Sequence, residues 1–469
     1  MTAPWEIDDF LTTRNGHLAI DGIDAASLAT EFGTPLFVYS QRRIQQNLDR
    51  ILAIRSRIDC GLKICYAAKA MSTLGILRTV RAAGCDVEVN SGGELFKALK
   101  AGFSGEQIIF NGTSKEEWEI EMAIENAIYA IQVDSIFELE MIAAIARRLG
   151  RPANASLRLV PEIESNTHSG LQTALITSKF GMMPEEAFAA FARYNASPHV
   201  KLSGIHIHIG SQNPDPSVYT NAFYEIYNNI RQIYAETGYV CGHVNLGGGF
   251  PVNYLRDRSS ANEMQLEQRQ LFGAEYDPVE AIGTAWDEAV RRAKADGALH
   301  LLEDLTLLLE PGRSIIADAG ICLTTVRNAK ERPSAGGRNP TDTWLLTDAG
   351  FNVLLSMETY KWYYHLISAE RATEPHNTPY KLAGPLCDGG DVYFDIEGKK
   401  RLPDYRFLPE NVRPGEILAL LNCGAYSLSQ ASQYNGRFLP PVVSIDASGQ
   451  PKLIRRRDRL DDLINNEIQ

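Results

Sequence analysis

A chain of 469 residues exceeds what one hydrophobic core usually organises, so two domains are expected. Hydrophobic residues make up 44% and charged residues 22%, as in an ordinary globular protein, while a formal net charge of -12 argues against a nucleic-acid or anionic-membrane partner. No apolar run approaches the ~20 residues that span a bilayer. The acidic start MTAPWEIDDF lacks the layout of a secretory leader, so a cytoplasmic location is expected.

In chain order, GHLAIDGI (16–23) is a short β-prone run, and residues 1–38 are expected to join a β domain rather than the alternating region after them. From 39 to 315 short apolar runs alternate with stretches of helical period. The runs are KICYAAK (63–69), CDVEVN (85–90), IIFNG (108–112), YAIQVD (129–134), ASLRLVP (155–161), LSGIHIHIG (202–210), HVNLGGG (243–249) and TLLLEPG (306–312). Between them, LGILRTVRAAG, GELFKALKAG, FELEMIAAIARRLG and PEEAFAAFARYN carry apolar residues at three- and four-residue spacing. Eight such units predict an α/β fold, a TIM-type (β/α)8 barrel, with an open doubly wound sheet as the alternative. The polar stretch 252–278 reads as an insertion on a barrel loop. From 316 to 469, GICLTTVRNAKE, TWLLTDAG, YKLAGPL, EILALLN and PPVVSID predict a mostly-β domain, sandwich- or barrel-like. The linker GGRNP (336–340) carries no recognisable chemistry, and Arg455-Arg456-Arg457, close to Asp461 and Asp462, reads as a solvated structural face. Seven cysteines without C-x-x-C spacing read as free thiols.

In such a barrel the C-terminal ends of the strands build the active site, so polar residues there are the candidates. Lys69 ends the first run among small apolar residues; desolvation there would make it nucleophilic toward carbonyls, the bland alternative being a lysine that snorkels to water. Gly247, Gly248 and Gly249 follow a strand and offer unobstructed N–H groups to a phosphate, or simply make a turn. Glu310, Gly312 and Arg313 lie at the end of the eighth run as EPGR, where an ion pair or a turn is the plain reading. His206 and His208 share strand parity, and no carboxylate or cysteine near them in sequence completes a metal site, so no metal is expected. An imine-forming lysine, a phosphate cradle, a carboxylate and a flat imidazole together suit pyridoxal 5′-phosphate.

With these motifs the chain resembles the fold-type III pyridoxal-phosphate decarboxylases, the family of the diaminopimelate, ornithine, lysine and arginine enzymes, over nearly its whole length. YAAKA implies Lys69 as the Schiff-base residue. NSGGEL (90–95) implies Ser91 at the cofactor, with Glu88 where the family usually has Asp. HIGSQ implies His208 stacked on the ring and Ser211 near the phosphate, while GGG and EPGR imply Gly247 to Gly249, Gly312 and Arg313 at the phosphate or substrate end and Glu310 on the pyridine nitrogen. AGPLCDGGD (383–391) matches the segment that a partner subunit lends to each site, which implies a homodimer and Cys387 as the acid that protonates the product carbanion. GAY (424–426) implies Tyr426 on the phosphate.

Departures from that pattern bear on the substrate. Where diaminopimelate decarboxylases carry an arginine that clamps a second carboxylate, this chain has Ser356, with Tyr360 retained. Cys-Glu-Ser in the partner loop is replaced by Cys387-Asp388-Gly389, as in ornithine decarboxylases, where the aspartate binds the distal amine. The segment 167–182 is nearer the diaminopimelate type, and the C-terminal part is similar to bacterial D-ornithine/D-lysine decarboxylases. The expectation is decarboxylation of a lysine- or ornithine-like acid, with the D form included, to a diamine. Meso-diaminopimelate, or a related amino acid of a secondary pathway, is the alternative. An alanine-racemase-like enzyme is disfavoured by Glu310, and a non-enzymatic regulator by the presence of Lys69, Glu310 and Cys387.

Overall fold

The computed structural model describes residues 3–160, 178–256, 263–334 and 340–468. The first part of the segment 167–182, to residue 177, and linker residues 336–339 fall outside them. The chain forms two compact units: Gln45–Pro251 with Ala274–Ile315, and Met1–Ile44 with Val252–Gly273 and Ile316–Gln469.

The first unit is a closed parallel barrel of eight strands: β1 Gly61–Ala67, β2 Asp86–Val89, β3 Ile108–Phe110, β4 Ala130–Val133, β5 Ala153–Arg158, β6 Val200–His206, β7 His243–Asn245 and β8 Thr306–Leu309. All eight apolar runs supply a strand, and β8 pairs back onto β1 with Thr306 opposite Gly61. Helices form where apolar residues recur at helical spacing. Two of them are bounded in the same way: Ser91 and Ser135 each accept one of the free N–H groups at the start, and Gly102 and Gly150, at φ 97° and 64°, end Gly92–Ala101 and Ile136–Leu149.

Strand alternation fills the barrel interior in layers. Low in the barrel, Cys65, Ile109, Ala130 and Leu308 form an apolar plug. Gly204 on β6 admits His243 from β7, since a Cβ there would lie 2.6 Å from the imidazole Cδ2. Two residues on from Ile109, Ala130 and Leu308, at the same parity, stand Asn111, Gln132 and Glu310, all buried. Alternation thus sets a polar layer above the apolar one, toward the C-terminal mouth.

The second unit centres on a long strand, Gly320–Pro333, flanked by Leu36–Ser40 and Thr341–Thr347; Thr378–Ala383, Arg406–Leu408, Val442–Ile445 and Pro451–Arg455 extend the sheet. Ile417–Leu420 also pairs with the long strand. GHLAIDGI forms part of a small antiparallel sheet, Leu11–Arg14, His17–Ile20 and Ile23–Asp24, whose Leu11, Leu18 and Ile20 pack with Ile321, Leu323 and Val443. Leu36–Ser40 crosses the boundary expected after residue 38, because its pairing partners lie in this sheet. Val252–Gly273, expected as a barrel-loop insertion, likewise groups with this unit, where Asn422 donates to the Asn253 carbonyl at 2.9 Å. Arg455 and Arg456 pair with Asp458 and Asp462, and Arg457 donates to the Pro35 carbonyl. Among the described residues no helix is long and apolar enough to cross a membrane.

Candidate active site

Lys69 sits in a single helical turn, Ala68–Ala70, that directly follows β1. Ala67, Ala68, Ala70 and Met71 are buried, but the lysine side chain is 38% exposed. The desolvation expected from its apolar neighbours is therefore incomplete: the turn after β1 buries the alanines and leaves the lysine side chain partly exposed. Its ammonium lies 3.9 Å from Glu88 Oε2.

Two carboxylates are buried side by side. Asn111 Nδ2 reaches Glu88 Oε1 at 2.8 Å and both Glu310 oxygens at 3.0 Å, and Asn245 Nδ2 donates to Glu310 Oε1 at 2.7 Å. Burial first, and repulsion from Glu88 second, push the Glu310 carboxyl up to about 7, against the pull of Lys69 and the two amides. His206 is buried with Nε2 3.9 Å from Glu310 Oε1, and its ring and that of His208 stand 6.3 Å apart at 52°. Burial, reinforced by Arg158 and Lys69, holds both imidazoles well below their ordinary pKa and thus neutral near pH 7. Closure of the barrel also changes the metal reading. Glu310 arrives from the end of β8 to bring its ligand atom within 4.8 Å of those of His206 and His208, a carboxylate invisible from the local sequence. Its oxygens already accept from the two asparagine amides.

The glycines after β7 are required by close approach. A Cβ on Gly247, whose φ is 68°, would lie 2.0 Å from His208 Nδ1; one on Gly248 would lie 2.4 Å from the Glu310 carbonyl oxygen; one on Gly249 would lie 2.5 Å from Asn213 Nδ2. Gly247 N–H donates to Asn245 Oδ1 at 2.8 Å. Gly312 is pressed against Ala67 and Ala70, and the buried Arg313 donates from Nε to Ser211 Oγ at 3.2 Å. Ser91 caps its helix by accepting from the Glu94 N–H at 3.2 Å, and Glu94 reaches back to the Asn90 N–H at 2.9 Å.

In the mostly-β unit Ser356 is buried, with its hydroxyl 3.1 Å from Gln430 Oε1 and 3.4 Å from the Tyr426 carbonyl. Tyr360 ends the short helix Leu355–Thr359. Tyr426 has φ 56°, a left-handed conformation unusual for a bulky side chain. Cys387 is exposed, its N–H bonded to Asn435 Oδ1 at 2.7 Å, and Asp388 accepts from the Tyr434 hydroxyl at 3.4 Å.

Thus Lys69, Glu88, His208, Ser211, Gly247–Gly249, Glu310, Gly312 and Arg313 gather at one end of the barrel, with Ser91 just past the end of β2. Sequence reasoning missed Asn111, Arg158, His206 as a neighbour of Glu310, and Asn245. Their signal was position: each is a polar residue at or just past a strand's C-terminal end.

A β/α barrel whose strand ends carry a lysine, a buried acid and a glycine cradle defines an enzyme site. Residues 43–317 match the family described as pyridoxal-dependent decarboxylase, pyridoxal binding domain, and the chain belongs to that family. It is 32% identical to the diaminopimelate decarboxylase of Bacillus subtilis, over 97% of this chain and 96% of the relative, and 33% identical to that of Methanocaldococcus jannaschii, over 98% and 97%. A crystal structure of the M. jannaschii enzyme superposes with a TM-score of 0.84 over 98% of both chains. A lysine/ornithine decarboxylase from Vibrio vulnificus shares the fold, at a TM-score of 0.67 and 21% identity over 91% of this chain and 97% of that one. The chain is accordingly a carboxy-lyase that uses pyridoxal 5′-phosphate. Its residues fit that group: a lysine that can form an imine, a turn of three glycines packed too closely to admit any Cβ, and a buried acid with acceptor capacity toward a ring nitrogen.

Proposed function

We propose that this chain releases the α-carboxylate of a diamino acid as carbon dioxide, with Lys69 holding the cofactor. The observation that carries the reading is the convergence of the Lys69 ammonium, the Glu88–Asn111–Glu310 system and the triglycine turn on one barrel mouth. In this reading Glu310 faces the pyridine nitrogen, with Glu88 and Ser91 close by. The neutral His208 would pack against the ring. Gly247 to Gly249, Ser211, Gly312, Arg313 and Tyr426 take the phosphate. When bound, the cofactor supplies the electron sink that makes loss of the carboxylate feasible. Arg313, Ser356, Tyr360 and Asp388 face the substrate, and Cys387, lent by the second copy in a homodimer, returns the proton. A cytoplasmic setting belongs to the same proposal. Lys69→Ala tests it: the visible absorbance of the bound cofactor should disappear, and an unchanged spectrum overturns the assignment.

For the substrate, similarity favours meso-diaminopimelate decarboxylated to lysine, because relatives named for diaminopimelate decarboxylation match over 97–98% of the chain. A second reading, a lysine- or ornithine-like acid in the D form, is favoured by the side chains. Ser356 is neutral, and its hydroxyl is engaged by Gln430, while Asp388 offers a carboxylate suited to a distal amine. A second substrate carboxylate that lost its arginine partner in a desolvated pocket would cost about 3–5 kcal/mol. Product analysis with D-Lys, D-Orn, L-Lys, L-Orn and meso-diaminopimelate separates the two. Turnover of diaminopimelate alone removes the second reading, and turnover of lysine or ornithine alone removes the first.

A further inference from the structure

Two ionisable carboxyls in one water-poor cavity repel, and one is normally driven to keep its proton unless donors stand between them. Among the described residues a single side chain bonds to both Glu88 and Glu310. Asn111 Nδ2 is within 2.8–3.0 Å of three oxygens, one on Glu88 and two on Glu310, while Glu88 Oε2 has no hydrogen bond among the described residues. Asn245 holds Glu310 from the other side and ties it to the Gly247 N–H at the start of the glycine turn. Asn111 and Glu88 are buried, and a residue placed there for packing alone would not need an amide.

We propose that Asn111 is a positioning residue: its amide, shared between Glu88 and Glu310, offsets the repulsion between the two carboxyls and, with Asn245, aims Glu310 at the cofactor. This role presupposes the reading of Glu310 as the cofactor's acid partner. Among the described residues, the charged and titratable groups around the pair include Lys69 beyond β1, Glu94 after β2, Cys65 on β1, Arg158 on β5, and His206 and His208 at the end of β6; burial pushes the Glu94 carboxyl and the Cys65 thiol up. The two imidazoles are neutral near pH 7, which leaves Lys69 and Arg158 as the cations. Those cations set the charge of the cavity, whereas the direction of the Glu310 oxygens is set by the two amides that bond them.

The test measures pyridoxal-phosphate affinity by absorbance titration from pH 6 to 9 in the wild type, Asn111→Leu, Glu88→Gln and the double variant. Asn111→Leu should weaken binding at least tenfold near pH 7 and move the pH dependence of affinity upward by about one unit, a tenfold change in the protonation equilibrium. Glu88→Gln, which removes the repelling charge, should restore most of the affinity lost in Asn111→Leu. Effects that simply add in the double variant overturn the proposal, as does an Asn111→Leu protein with unchanged affinity and pH dependence. Where Asn111→Leu does not fold, Asn111→Asp keeps the volume and adds a third carboxylate. It should raise the same pH dependence further, and a lowered or unmoved one overturns the proposal. If Glu310 is not the acid partner at all, Glu310→Gln leaves affinity unchanged, which separates failure of that reading from failure of this one.

Discussion

The buried acid at the barrel mouth imposes a specific pH dependence on the cofactor-free protein. The Glu310 carboxyl stands at about 7 in the fold, against 4.5 as its ordinary value. Because the folded value is raised, the native state binds more protons than the unfolded chain between those limits. The contribution to stability is therefore full below about pH 4.5, declines as pH rises toward 7 and levels off above it. The difference between those two values corresponds to about 3 kcal/mol, and between pH 5.5 and 8 roughly 2 kcal/mol of it is lost. Glu310→Gln removes the titration, so the stability of the variant relative to wild type should grow by that amount across the interval. For domains of roughly 150–250 residues this is about 4–8 °C in Tm. The amide also changes the contacts to Asn111 and Asn245, but that offset is independent of pH and cancels in the slope. Melting curves of both cofactor-free proteins at five pH values decide the matter. Parallel Tm profiles would refute the claim that burial and Glu88 keep Glu310 protonatable near neutral pH.

Gly248→Ala sets a Cβ 2.4 Å from the Glu310 carbonyl oxygen, a backbone atom that cannot swing aside, so cofactor affinity should fall at least tenfold and Tm should drop; Gly242→Ala, whose nearest neighbour would be 3.7 Å away, should change neither. Lys115 is buried and donates to the Gly112 and Gln132 carbonyls and to Glu138 at 2.7–2.9 Å, pinning the ends of β3 and β4 together. Lys115→Met should cost about 3–5 kcal/mol in urea unfolding, and Lys115→Met with Glu138→Leu clearly less, because the double variant leaves no unpaired buried charge.

The barrel is legible in the sequence because a parallel strand buried on both faces must be apolar throughout, and KICYAA or TLLLE can be little else. Lys69 and Glu310 are legible because each breaks an apolar run with a charge that packing does not require, and the triple glycine because three successive residues without a Cβ mark a close approach of the backbone. Asn111 and Asn245 are not, since an asparagine followed by glycine or leucine at a strand end reads equally well as a turn, and only closure of the barrel brings residues from β2, β3, β7 and β8 to one point. The setting of the Lys69 ammonium is illegible for a different reason. Small apolar neighbours in sequence are its neighbours along the backbone, not the atoms around its charge. Close to that ammonium stands Glu88, from the adjacent strand, with Asn111 and Glu310 beyond it. The strand pairing that makes the barrel thus also decides the electrostatics of its mouth, and the two amides around Glu310 are where fold and chemistry meet.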